Sequence, residues 1–165
     1  MIEIRPIPYE DIPRVIEIYA QGIEGGHSTF NTEAPTVESW DAGHLKVCRL
    51  GAYEGDKLVG WSALSPTSAR ECYKGVCEAS LYIRNGYQSL GVGTALMKRT
   101  VEESEKQGIW CLYAAIFSIN TASIKMCLKN GWRVVGTREK IAKDRFGVWQ
   151  DTTVMERRSK VAGVD

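Results

Sequence analysis

Trp110 to Ile116, Trp-Cys-Leu-Tyr-Ala-Ala-Ile, is an almost unbroken apolar run, and it restricts the possible folds more than any other stretch of the chain. It falls far short of the roughly 18 apolar residues of a membrane-crossing helix. Gly108 separates it from the segment before it. A strand without polar alternation has no side fit for water, so it belongs in the middle of a sheet covered on both faces. That arrangement calls for helices above and below, and the flanking sequence supplies them.

On its N-terminal side, Val92, Leu96 and Val101 define the inward face of a helix that runs to about Gln107 and stops at Gly108. On its C-terminal side, Asn120 opens a helix carrying Ile124, Cys127 and Leu128 and stopped by Gly131. Further upstream, Ile2 and Ile4 alternate with polar residues in a strand ending at Pro6. Ile12, Val15, Ile16, Tyr19 and Ile23 then recur at helical spacing up to Gly25-Gly26, with Pro13 tolerated in the first turn. Thr36 is placed to cap a short helix through Trp40. Val47 to Tyr53 and Leu58 to Leu64 flank a hairpin turn at Gly55-Asp56-Lys57, and Pro66 closes the second run. A polar loop through Arg70 and Tyr73 leads to the strand Val76 to Ile83, expected to neighbour those two. Trp132 to Thr137 and Val148 to Met155 supply the last strands. The order β, α, α, three strands, α, β, α, β, β predicts a mixed α/β fold with helices on both sides of one sheet.

With 165 residues, no repeat and no linker-like tract, one domain spanning 1–165 is expected. Lys plus Arg number 21 against 20 Asp plus Glu, so no surplus of positive charge is available to hold a polyanion, and nucleic acid is not expected as a partner. Five cysteines without a C-x-x-C pair or a histidine cluster argue against a disulfide framework or a metal site. The N-terminus lacks the basic start, apolar run and cleavage site of a signal peptide, and no stretch is apolar enough to span a bilayer. A cytoplasmic protein with no membrane partner is the expectation.

Gln88-Ser89-Leu90-Gly91-Val92-Gly93-Thr94 lies between a strand and an amphipathic helix, so its N–H groups converge at a helix N-terminus, a natural anion site. Glycines at 91 and 93 would let the main chain approach a phosphate without Cβ interference. A strand-to-helix turn softened by glycine, with no ligand, is the plain alternative. A P-loop is missing its lysine here, and G-x-G-x-x-G fails because position 96 is Leu96.

The Q-x-x-G-x-G pattern, with a strand before it and a helix after, resembles the pyrophosphate-binding signature of the GNAT acetyltransferases. Asn120-Thr-Ala-Ser123, followed by Gly131-Trp132 at the far end of the same helix, is similar to that family's second half-motif. The phosphinothricin and methionine sulfone acetyltransferase group is resembled most closely. Ser28-Thr29-Phe30-Asn31-x-Glu33-x-Pro35, Ala69-Arg70-x-x-Tyr73, Glu78-Ala-Ser80-Leu-Tyr82-Ile and Gly147-x-Trp149-x-Asp151 carry that likeness over nearly the whole chain.

The resemblance implies the GNAT fold, acetyl-CoA as co-substrate with no metal, and a homodimer, with Trp132 and Trp149 of the C-terminal strand pair as candidate interface residues. Leu81, Tyr82 and Ile83 are then expected to offer main-chain contacts to the acetyl-CoA arm. Gln88, Ser89, Leu90, Gly91, Val92, Gly93 and Thr94 form the cofactor loop, with Ser89 to Thr94 on the pyrophosphate, and Asn120 and Ser123 meet the pantetheine. Extended pantetheine can pair with a strand edge as an added peptide strand does. Glu78, between apolar neighbours, is the expected general base, acting directly or through water, with an edge-strand carboxylate in a salt bridge as the alternative.

Arg70 offers a bidentate fork for a substrate carboxylate, unless it is a solvated loop arginine. Phe30 and Tyr73 are expected to wall the pocket or else to be ordinary core. His27 reads as a loop residue. Many GNAT enzymes carry a tyrosine seven residues after the motif asparagine to protonate the leaving thiolate. Cys127 stands there, so the general acid is left open.

The expected reaction is acetylation of the free amine of a small amino-acid-like substrate of the phosphinothricin, methionine sulfoximine or methionine sulfone type. Two alternatives stay open: acetylation of a protein or peptide, and an acyl-CoA-binding regulatory module without catalysis.

Overall fold

The computed structural model describes residues 1–165. Seven strands form one mixed sheet: β1 (Ile2–Pro6), β2 (Leu50–Glu54), β3 (Lys57–Pro66), β4 (Val76–Ile83), β5 (Cys111–Phe117), β6 (Arg133–Lys143) and β7 (Trp149–Arg158). Four helices accompany them, α1 (Ile12–Gly25), α2 (Val37–Gly43), α3 (Val92–Lys106) and α4 (Thr121–Lys129). The strand order is β1-β2-β3-β4-β5-β7-β6, and every neighbouring pair is antiparallel except β4 with β5. No helix is long and apolar enough to cross a membrane.

The local signals account for most element ends. Pro13 sits in the first turn of α1, and Gly26 closes that helix at φ 77°, a left-handed conformation that costs glycine little. Thr36 caps α2 by accepting the Ser39 N–H at 3.1 Å. β2 and β3 join through Gly55-Asp56, with Glu54 opposite Lys57. β2 begins at Leu50 rather than at Val47, because Cys48 takes φ 60° and bends the chain before the ladder starts.

The two faces of the sheet carry separate cores. Ile12, Val15 and Ile18 of α1 and Trp40 of α2 pack on Trp61 and Ala63 of β3. Burying each such side chain is worth about 1.5–3 kcal/mol. On the other face, Ser62 and Thr100 share a 2.6 Å hydrogen bond that ties β3 to α3. There Leu64, Cys77, Leu112, Cys127, Trp132 and Met155 pack with α3 and α4.

Two further strands depart from expectation. Cys111 and Leu112 of β5 are buried, but from Tyr113 to Ile116 the strand is only partly covered and Ala115 is exposed. The reason is that β4 pairs with β5 only at Val76, Cys77 and Glu78, opposite Cys111, Leu112 and Tyr113. β6 continues to Lys143 rather than ending at Thr137, and nearly all of it is exposed because it has β7 on one side and no strand on the other. Trp132 lies just before β6 and is 5% exposed, so it is core rather than surface.

Candidate active site

β4 runs on to Ile83 and β5 to Phe117, yet their ladder ends at Glu78 and Tyr113, so the two strands separate. The main chain of β4 has a determined sense along this opening. The Gly75 carbonyl accepts from the Cys111 N–H at 3.0 Å, whereas the Arg84 N–H donates to the Val59 carbonyl at 2.8 Å. Successive residues of a strand turn their N–H and C=O to opposite edges. Ser80 and Tyr82 therefore bond towards β3, while Leu81 and Ile83 direct their main-chain groups into the gap, where β5 no longer meets them.

A cavity of about 390 Å³ occupies the gap and reaches both faces of the sheet. On the α1 face, Glu78, Ser80 and Tyr82 of β4 line it, together with Tyr19 of α1 and Phe30 and Asn31 of the loop after α1. On the α3 and α4 face, the lining includes Met97, Leu112, Met126, Cys127 and Trp132. Asn120 and Ser123 line it as well.

Glu78 is the one charged side chain in the wall. It remains open to solvent through the cavity, but the protein around it replaces part of its hydration and raises its pKa above the ordinary carboxylate value. No salt bridge engages it, so the edge-strand ion pair considered from sequence is not what this carboxylate makes. Burial pushes the Cys127 thiol up to about 11. A thiol that weak is a poor proton donor to a leaving thiolate of ordinary pKa near 8.5.

The α1-side wall is held by hydrogen bonds. Asn31 donates to the Tyr19 hydroxyl at 2.6 Å, and Tyr82 donates to the Ser28 carbonyl at 3.4 Å. Tyr19 and Tyr82 stack at 4.8 Å, and Phe30 meets Phe117 of β5 at 4.5 Å, which bridges the gap with a pair of rings. The tip of the β6–β7 hairpin braces the same loop from outside. Arg145 donates to the Ile23 carbonyl at 3.2 Å, and the Phe146 ring lies where a Cβ on Gly26 would fall. Buried Asp144 shapes the tip by accepting the Phe146 and Val148 N–H groups at 2.9 and 3.0 Å and the Gln150 amide at 2.9 Å. Its pKa is lowered, chiefly by the Gln150 bond.

Beyond Ile83, the loop from Asn85 to Gly91 delivers the chain to α3. Gln88 works inside this loop, accepting the Gly86 N–H at 2.9 Å and donating to Asn85 at 3.1 Å. Ser89 at φ 63° and Gly91 at φ 83° turn the backbone so that the first N–H groups of α3 face outward. The two glycines have different reasons. Gly91 has open space around it and needs only its left-handed φ, whereas a Cβ on Gly93 would stand 2.9 Å from Met126 Sδ of α4. Leu90 is exposed and Val92 is core. Asn120 caps α4 by accepting the Ser123 N–H at 3.4 Å. A second, polar cleft of about 490 Å³ shares Ser28 and Asn120 with the first and includes Gln88 and His27.

The gap thus brings Glu78, Leu81, Tyr82, Phe30, Asn120 and Ser123 to one cavity. Arg70 and Tyr73 do not line it. Both are exposed on the β3–β4 loop, where the Arg70 guanidinium lies 5.4 Å from the Tyr73 ring centre. Cys127, seven residues after Asn120 at the position considered for the general acid, lines the cavity too. Tyr19, Asn31, Phe117 and Thr152 line it without having been singled out from sequence for that place, and of these four only Asn31, inside the Ser28 to Pro35 pattern, carried a signal that pointed there. No group of three or more His, Cys, Asp or Glu side chains is arranged to hold a metal ion.

Residues 12–132 match the acetyltransferase (GNAT) family. An L-methionine sulfoximine/L-methionine sulfone acetyltransferase of Pseudomonas paraeruginosa is 24% identical over 159 residues, covering 93% of this chain and 92% of that protein. A phosphinothricin N-acetyltransferase of Streptomyces viridochromogenes is 28% identical over 160 residues, covering 94% and 87%. In fold, the chain superposes with a TM-score of 0.89 on a phosphinothricin acetyltransferase of Sinorhizobium meliloti solved with AcCoA. That match has 20% identity and covers 99% of this chain and 91% of that one.

Proposed function

The chain belongs to the acetyltransferase (GNAT) family, and from that premise we propose that it transfers acetyl from acetyl-CoA directly to the free amine of a small amino-acid-like molecule. The observation that carries the reading is the unpaired edge of β4, which runs past the one carboxylate of the cavity and on towards the N-terminus of α3. The Leu81 and Ile83 main chain suits the amides of pantetheine, as an added strand would. The N–H groups at Gly91 to Thr94 suit the pyrophosphate. Acetyl-CoA supplies the thioester.

Glu78 removes the proton from the attacking nitrogen, directly or through water, and its raised pKa suits that task near neutral pH. Cys127 is too weakly acidic to serve as the proton source, and a coenzyme A thiolate of ordinary pKa about 8.5 needs no dedicated acid near neutral pH.

The names of the relatives support a substrate of the phosphinothricin, methionine sulfoximine or methionine sulfone type. A free carboxylate on such a molecule finds no cation in the cavity wall, and Arg70, on the exposed β3–β4 loop, is the residue we assign to it. A homodimer belongs to the same proposal. The exposed Ile141, Val148 and Trp149 of the β6–β7 pair and its turn give it an apolar surface to use, and a sizing column tests it.

The test of the reaction is release of free thiol from acetyl-CoA in the presence of methionine sulfone, phosphinothricin and a peptide with a free N-terminus. Release with the amino acids is expected. Release with the peptide alone moves the acceptor to proteins, and binding of acetyl-CoA without release to any amine leaves a regulatory module.

A further inference from the structure

Four buried side-chain polar atoms have no hydrogen-bond partner: Trp40 Nε1, Trp61 Nε1, Trp132 Nε1 and Thr152 Oγ1. The first two belong to the α1–α2 core, away from the cavity lining. Trp132 and Thr152 both line the cavity, on opposite faces of the sheet. Thr152 is the one on the amine side. It lies on β7 directly opposite Phe117 of β5, and opposed residues in an antiparallel pair share a face. Phe117 in turn meets Phe30, so the Thr152 side chain lies behind the ring pair that bridges the gap.

Thr152 is 3% exposed, and its neighbour Thr153 already bonds Ser118 at 2.8 Å, so two adjacent threonines are treated differently. A buried hydroxyl left without a partner is destabilising, and native structures keep few of them. A valine of the same shape would remove that cost. Rotation about χ1 moves the hydroxyl among three staggered positions without moving the strand, so a cavity-lining threonine can re-aim its O–H towards a bound molecule.

We propose that Thr152, beside the Phe30–Phe117 pair, is a specificity residue that donates a hydrogen bond to an uncharged oxygen on the acceptor. A sulfonyl, sulfinyl or carbonyl oxygen has the required chemistry. Glu78 attracts the amine end, and Thr152 holds the neutral polar end. The inference rests on the acetyl-transfer reading for the identity of the acceptor.

The test compares L-methionine sulfone with L-methionine, which differ only in the two sulfonyl oxygens. Their dissociation constants from the protein loaded with coenzyme A are measured by calorimetry, alongside thiol release from acetyl-CoA. In the wild type the sulfone binds more tightly. In Thr152→Val the ratio between the two ligands shrinks by about tenfold, and Thr152→Ser restores it. An unchanged ratio in Thr152→Val, or no binding of either ligand to the wild type, overturns the subsite. Binding with the expected ratio but no thiol release with any amine leaves the subsite standing and removes the transferase reading. Acetyl-CoA affinity equal to that of the wild type verifies that the valine variant is folded.

Discussion

The two sides of the gap are made of different material. Its β4 side presents main-chain groups of Leu81 and Ile83, continued by the first N–H groups of α3, and almost any side chain there leaves those groups in place. The other side is assembled from side chains of four separate segments: Tyr19, the adjacent Phe30 and Asn31, Phe117 and Thr152. A backbone surface recognises something common to many reactions, such as an amide arm or a pyrophosphate. A side-chain surface can change with the acceptor while the fold stays. The strand pairing makes this division possible, because three parallel residue pairs join two well-bonded antiparallel halves and then let them part.

The largest expected effect is on the carboxylate that stands between the two sides. Glu78→Gln should lower kcat by about 100-fold or more while acetyl-CoA affinity holds, the range seen when a general base is removed. In the wild type, turnover should rise with pH through a pKa above the ordinary carboxylate value, because the base acts only when deprotonated. Equal turnover for both proteins across the pH range would remove Glu78 from the mechanism.

A smaller effect probes the backbone side alone. Gly91→Ala meets no steric neighbour but forces a Cβ onto φ 83°, at about 1–2 kcal/mol. Acetyl-CoA should bind about tenfold more weakly, with the acceptor preference unaltered. A changed order of acceptors would mean that the two sides are not separable.

Arg70→Ala probes the side-chain surface at a position outside the wall. If Arg70 captures the substrate carboxylate, KM for amino acids rises about tenfold and peptides are unaffected. Insensitivity of both would leave Arg70 as a loop residue and strengthen a peptide acceptor.

The smallest effect concerns the hairpin tip that braces the acceptor loop. The Asp144 pKa is lowered in the folded state, so its contribution to stability is present above the unfolded value of about 3.9 and is lost as pH falls through the folded value. Asp144→Asn should flatten the acid limb of Tm against pH, read by thermal melts between pH 3 and 6. An acid limb identical to that of the wild type would show that the tip is held by other contacts.

The same division explains what could be read from the sequence. The order of strands and helices, the cap at Thr36 and the loop at Gly91 rest on local chemistry: apolar period, an N-cap hydroxyl, a left-handed turn. The place of Glu78 in the cavity wall was legible because its strand leads straight into the Gln88 to Thr94 loop. Thr152 and Tyr19 were not, because a threonine in a strand and a tyrosine on a helix look the same whether they face core or cavity. Trp132 looked like an interface residue, and its burial comes from packing against Cys127 and Met155, which are distant in sequence or hidden in a helix face. The partial exposure of β5 was invisible for the same reason: its apolar composition is shared by a strand buried in a sheet and one that walls a cleft. Arg70 fits a carboxylate fork by residue type, and only the structure shows that its loop lies outside the cavity wall.

Residue-resolved amide hydrogen exchange of β4, with and without acetyl-CoA, tests the division most directly. The account predicts that acetyl-CoA slows exchange at Leu81 and Ile83, whose N–H groups face the gap, and leaves Ser80 and Tyr82, already bonded to β3, as they were. Uniform slowing along the strand, or no change at Leu81 and Ile83 at saturating acetyl-CoA, would contradict it.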